Sequence, residues 1–333
     1  MTTKLSLILF LVLFALPVGG ARIVQMPDLL DPGLITAGGD RLYIADRAAV
    51  YIYSLKDFHL QKKFGRAGEV PQGFGESIYT LNIYKDRLIV NSTGKLSFFT
   101  KEGNFLKEKR TPPQQRSFRP LGDKFIGTGI LVDEKAVYNA INIYNADLKN
   151  ETEIVRLELG VQPGKGTKIF HGTLSAAVWQ DRLFAAGTNA FEIHIYNEKG
   201  EKLSLISRAY RKRKVTEEDK NRIINYLKTS PETKEYYDML KPVSFPVYYP
   251  ALKELFAADG RVYAFTWKTE NMRNECFIFD SEGKYADRVL LPIKKIDAVN
   301  FAPLTIEDRK LYQLVKNESS KKWELHITPL NSL

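Results

Sequence analysis

The chain has 333 residues, 44% hydrophobic, 26% charged and 12% aromatic, with a formal net charge of +10. That length exceeds one small core but fits one large all-β domain, and the charged fraction is ordinary for a globular protein. The single cysteine, Cys276, excludes an internal disulfide framework. The basic balance suits nucleic acid, an anionic membrane or an acidic polysaccharide as partner, or simply a lysine-biased surface. Outside residues 208–214 there is no dense Lys/Arg run with interleaved aromatics.

The N-terminus reads as an export signal. Lys4 gives a positive start, Leu5 to Val18 is apolar, and the small residues Gly19 and Ala21 suit cleavage after Ala21. The apolar run is short for a span of about 20 residues, although an uncleaved anchor is the alternative. The expected domains are therefore a signal peptide over 1–21 and a single folded unit over 22–333.

Repeats organise the rest. An acidic or Gly turn, a basic residue and an apolar strand recur as GGDRLYIAD, YKDRLIVNS, LGDKFIGTG, WQDRLFAAG, ADGRVYAFT and EDRKLYQLV. Each is followed by a second strand pattern: VYIYS, LSFFT, INIYN, IHIYN, CFIFD and ELHIT. Each is preceded by a short apolar segment: GLITA, IYTLNI, FRPL, TLSAAV, ALKELF and FAPLTI. TKEGNFLKEK, NEKGEKLSLI and DSEGKYADRVL add a Gly-containing turn and an outer strand. Alternating apolar residues in these strands are expected to face a core.

Anchored on Leu42, Leu88, Phe125, Leu183, Val262 and Leu311, the units lie 46, 37, 58, 79 and 49 residues apart. Four strands every 40–50 residues, repeated radially, predict an all-β, six-bladed β-propeller. The sixth unit lacks an outer strand, and RIVQMP at 22–27 has no blade of its own. The N-terminal strand is therefore expected to close the last blade, which removes an exposed edge.

The long spacing marks an insertion over 208–245, between blades four and five. Thr216 is a good N-cap, Glu217, Glu218 and Asp219 fill a first turn, and Ile223, Ile224 and Leu227 form an apolar stripe. Ser230-Pro231 starts a shorter helix carrying Tyr236, Tyr237, Met239 and Leu240, which are expected to pack onto the propeller. The insertion should cap or flank the mouth of the central channel.

The segment FGRAGEVPQGF at 64–74 resembles the inter-blade linker of NHL-repeat and TolB-like six-bladed propellers. Phe64, Gly65, Gly68, Pro71 and Phe74 match; Val70 stands where those proteins often have Gly. GVQPGKG at 160–166 is a weaker echo. The whole chain looks like exported bacterial six-bladed β-propellers of largely unassigned activity. Lactonase-, lyase- and arylesterase-type propellers place metal-binding carboxylates, Asn or His at the channel mouth. Of the four histidines only His171 precedes an inner strand; Asp297 and Asn300 are scattered oxygen donors. There is no GxSxG elbow and no complete phosphate-loop frame. No catalytic or metal site and no cofactor is expected.

The loops predicted on the channel-mouth face are basic. They carry Arg66, Arg116, Arg119, Lys165, Lys168, Lys268, Arg273, Lys294 and Lys295, joined by Arg211 to Lys214. Arg offers bidentate anion binding. The candidate ligand-binding residues are Arg66, Arg116, Arg119, His171, Tyr248, Tyr249 and Arg273. The functional expectation is an exported monomer, periplasmic or extracellular, that binds a protein or an anionic ligand at the channel mouth. Nucleic acid is not expected as a partner, nor a transmembrane segment after signal cleavage. The alternative is a metal-dependent hydrolase or lyase with His171 as a ligand.

Overall fold

The computed structural model describes residues 22–330, except 69, 113–114, 134–135, 163–165 and 232 and the side chains of Gln115, Arg116 and Gln162. The leader expected over 1–21 lies outside the described residues, as does Lys165. Six antiparallel four-stranded sheets make a six-bladed β-propeller. Blade one runs from the inside outwards as Pro32–Gly38, Arg41–Asp46, Ala49–Ser54 and Leu60–Phe64. Blade two is Ile78–Tyr84, Arg87–Ser92, Lys95–Thr100 and Phe105–Arg110. Blade three is Gln115–Leu121, Lys124–Val132, Val137–Tyr144 and Asn150–Glu158. Blade four is Leu174–Trp179, Arg182–Gly187, Glu192–Tyr196 and Lys202–Ser207. Blade five is Glu254–Ala258, Arg261–Glu270, Arg273–Asp280 and Tyr285–Leu291.

Blade six combines both ends of the chain. Its inner three strands are Leu304–Glu307, Lys310–Lys316 and Trp323–Pro329. Its outer strand is Arg22–Gln25, with Arg22 opposite Ile327 and Gln25 opposite Glu324. The Met26 amide donates to the Trp323 carbonyl at 2.9 Å, and Trp323 Nε1 donates to the Leu30 carbonyl at 3.1 Å. The expected ring closure is thus observed.

The middle strands depart from the expected alternation. Leu42, Tyr43, Ile44 and Ala45 are all buried, as are Val50 to Tyr53. A blade is packed on both faces by its neighbours, so both sides of its middle strands must be apolar. The core is correspondingly divided into seams between adjacent blades. Leu42, Ile44, Tyr51 and Tyr53 of blade one meet Tyr312, Leu314, Trp323 and Leu325 of blade six. Tyr43, Val50 and Ile52 meet Leu81, Leu88, Val90 and Phe99 of blade two.

The turns between inner and second strands hold a left-handed residue at Gly39, Lys85, Gly122, Gln180, Asp259 and Asp308. In the first four this residue precedes the turn aspartate that made the motif visible. Gly103, Gly200 and Gly283 have φ of 75°, 83° and 91° in the later hairpin turns, as their sequences imply.

The 64–74 linker folds around Phe74, which is fully buried beside Phe64 and Phe99. Gly65 has φ 87°, and a Cβ there would collide with the Phe74 ring. The weaker echo is not a linker of this kind. Val161–Gln162 and Gly166–Lys168 form a hairpin whose second strand pairs in parallel with Val243–Ser244 at the end of the insertion.

Met26 is 1% exposed within the seam that the closing strand completes. Met26→Ala should lower unfolding stability by about 2–4 kcal/mol. Equilibrium urea denaturation measures this, and an unmoved midpoint would mean that the closing segment carries little stability.

Candidate functional site

The six inner strands surround a cavity of about 1890 Å³. At one end it is edged by the turns that leave the inner strands, with Lys85, Lys101 and Glu307. At the other end the insertion joins the wall through Tyr226, Ser230 and Pro231. Helix α1 (Glu217–Thr229) brings these residues there, so the insertion stands at the channel mouth as expected.

Two buried carboxylates fix the insertion. Thr216 caps α1 by accepting from the Asp219 amide, and the Asp219 carboxylate accepts from the Thr216 amide and hydroxyl. Arg213 and Arg222 each donate to that carboxylate at 2.8 Å. Burial alone would raise the Asp219 pKa, but the Thr216 amide, the Arg213 guanidinium and the Thr216 hydroxyl outweigh it and hold it at about 2. Glu275 of blade five makes the second anchor. It accepts from Tyr210 at 2.7 Å, from Thr266 at 2.8 Å and from Arg288 at 2.8 Å. Burial pushes its carboxyl up; these three donors together hold it below the usual carboxylate value.

The first anchor continues into the cavity wall. The Arg213 guanidinium lies 4.7 Å from the Tyr249 ring centre. Tyr249 stacks on Trp267 with centroids 4.6 Å apart and planes at 23°. Phe170 packs against both rings, at 5.1 and 4.8 Å. Trp267 and Phe170 line the cavity, as does Phe301. Tyr236 and Met239, expected to pack on the propeller, are instead 58% and 74% exposed. Their short 3₁₀ helix, Lys234–Leu240, has no buried residue; α1 before it and the Val243–Ser244 pairing after it attach the segment to the rest.

Arg119, Lys253 and Glu254 are charged residues on the cavity wall. Arg119 donates to the Ala176 carbonyl at 2.5 Å, and burial pushes its guanidinium below the ordinary value. Burial pushes the Glu254 carboxyl up, against the pull of Lys253 and Arg119. The Lys253 amine is buried, lies 3.5 Å from the Phe301 centroid and 5.0 Å from that of Trp267, and has no hydrogen-bond partner among the described residues. Burial, helped by the cation of Lys295, brings the Lys253 amine down to about 7.

Of the residues singled out from the sequence, Arg119 lies on the cavity wall. Tyr249 is 1% exposed behind Trp267 rather than open to a ligand. Arg66, His171, Tyr248 and Arg273 are exposed on connections or at a strand start and are not part of that wall. Arg116 sits in the inner strand of blade three, but its side chain lies outside the described residues. Asp297 and Asn300 do reach the wall. The Asp297 carboxylate is engaged by the amides of Val299 and Asn300 and by Asn300 Nδ2. Among the described residues no three His, Cys, Asp or Glu side chains converge. Lys253, Trp267, Phe170 and Phe301 were not singled out. The available signal was the charged pair Lys253-Glu254 inside the otherwise apolar inner-strand segment ALKELF.

No known family model matches the chain, and no curated protein matches it. A Bacteroides fragilis protein that carries the description of an exported protein is similar in fold. It has 12% identity and a TM-score of 0.55 over 93% of this chain and 95% of that one. The U3-55K structure aligns at 8% identity and a TM-score of 0.48, over 92% and 98%. The first likeness agrees with the six-bladed propeller. Among the described residues no helix is long and apolar enough to cross a membrane.

The pKa of Asp219 in the folded protein lies below its unfolded value of 3.8. The stability it contributes is therefore complete above about pH 4 and is lost as pH falls through about 2. The shift from 3.8 to about 2 corresponds to roughly 2–3 kcal/mol on this 3%-exposed carboxylate. Asp219→Asn at neutral pH should loosen α1 to a similar degree. Amide exchange of α1 measures this, and unchanged protection of α1 would remove the anchoring role.

Proposed function

We propose that this chain is an exported binding propeller of the NHL-repeat or TolB-like kind, acting as a monomer in the periplasm or outside the cell. Its ligand is anionic and sits in the channel beneath the insertion. The observation that carries this reading is the meeting of Lys253 with the aromatic rings of Trp267 and Phe301 in a cavity of about 1890 Å³ whose wall also carries Arg119. Rigid inner strands hold that arrangement, and ligand sites of this kind are mostly apolar with a few converging polar groups. Export is supported by the leader-like residues 1–21 and by the likeness to the Bacteroides protein. The metal-dependent alternative lacks a converging donor set among the described residues, and His171 stands apart from the cavity.

A protein partner is the second reading. It rests on Met239 of the insertion, Val247 just after it and Met272 at the hairpin tip of blade five, exposed by 74%, 64% and 92%.

Trp267 gives a direct test. Titration of the mature protein with amphipathic anions should change its tryptophan fluorescence saturably. It should also raise the melting temperature, since ligand at 100 times Kd adds about 2.7 kcal/mol. Trp267→Phe should remove most of the fluorescence change. If neither signal moves for any anion, the channel reading fails; a saturable response to a protein fraction alone would favour the second reading.

A further inference from the structure

Lys253 presents an unbalanced charge. Its buried amine has no hydrogen-bond partner among the described residues, although it stands at the edge of a cavity. Contact with the Phe301 and Trp267 rings offsets only part of the cost of burying an ammonium. The nearby carboxylates, Glu254 and Asp297, favour the charged amine from a distance, but neither makes an ion pair or hydrogen bond with it. Asp297 spends its oxygens on Val299 and Asn300, and burial pushes Glu254 towards its neutral form. The other charged groups that face the amine are the cations Lys295, from the connection between blades five and six, and Arg222, from α1. The surroundings thus offer an ammonium with no directly paired anion, beside the aromatic wall of Trp267, Phe170 and Phe301.

We infer that Lys253 binds the head group of a small amphipathic organic anion, a carboxylate or sulfonate whose apolar body lies along Trp267, Phe170 and Phe301. This rests on the proposed channel-binding reading and specifies its ligand class. The anion replaces the missing counterion, and the rings replace water around its body. Only the protonated amine serves, so binding takes up a proton wherever the free amine is deprotonated. Burial brings that amine down to about 7. Affinity for an anion is therefore highest below that pH and declines as pH rises through it. Ionisation of Glu254 acts in the same direction by adding negative charge, whereas Lys295 and Arg222 keep a residual attraction at higher pH.

Two fluorescent probes with the same aromatic body test this on the mature protein. 8-Anilinonaphthalene-1-sulfonate is an anion throughout the range, and N-phenyl-1-naphthylamine lacks the sulfonate. The sulfonate should bind about tenfold or more tightly at about pH 6 than at about pH 8.5, whereas the neutral probe should bind equally at both. Lys253→Met should weaken sulfonate binding at about pH 6 by about tenfold or more, flatten its pH profile and leave the neutral probe unaffected. It should also raise the melting temperature, because an uncompensated buried amine is removed. Lys253→Arg, charged at every pH used, should retain sulfonate binding at the higher pH, and it serves if the Met variant fails to fold. If both probes bind but the sulfonate profile is flat and unmoved by either variant, the Lys253 inference is overturned and channel binding stands. If neither probe binds, the inference falls together with the channel reading.

Discussion

Every blade of this propeller is packed on both of its faces, and the rest of the architecture depends on that constraint. A sheet with one wet face could stop after a single partner. Here Tyr43 and Ile52 serve one seam of blade one while Leu42 and Tyr53 serve the other, so each blade requires a neighbour on each side. Twisted sheets stacked under that demand follow a circle, and the circle closes only when a last seam is made. A central channel follows, because the inner strands cannot all meet on the axis. The cavity is thus a consequence of how the hydrophobic surface is shared out, and function can use it without disturbing the seams.

Much of this was legible in the sequence because it repeats. The turn-basic-apolar pattern recurs in all six blades, and the orphan RIVQ segment matched the one missing strand. Two-sided burial was less legible: Tyr43 and Tyr51 are compatible with a wet face, and only the presence of neighbouring blades shows that they have none. The left-handed turn positions at Lys85 and Gln180 were also hidden, because neither residue signals positive φ. The candidate site was the least legible part. Phe170, Trp267, Lys253 and Phe301 come from four separate stretches; Lys253 and Phe301 fall inside the repeated segments ALKELF and FAPLTI, yet nothing in the repeat marks them as meeting Trp267 and Phe170. Arg119 was legible as a guanidinium inside the inner-strand segment FRPL. The exposed arginines and His171 were selected by residue type and loop position, which do not encode distance from the channel.

The insertion and the wall share one mechanical path. The carboxylate of Asp219 holds Arg213, Arg213 covers Tyr249, and Tyr249 supports Trp267. Glu275 ties the start of the same insertion to blade five through Tyr210. The segment above the channel is thus fastened at several points, and the ring that a ligand would touch is braced from behind. Preorganisation of this kind lowers the ordering cost of binding.

The closing strand has a consequence for the linear order of the chain. Arg22–Gln25 and Trp323–Pro329 are neighbours in one sheet, so the first and last described strands end beside each other although about 300 residues separate them in sequence. Where the polypeptide starts is then nearly arbitrary with respect to the finished ring. A short peptide joining the two ends, with a new opening cut in another blade's outer hairpin, would preserve every seam and the channel between them. The gene for such a rearranged chain would encode the same molecule read from a different point on its circumference.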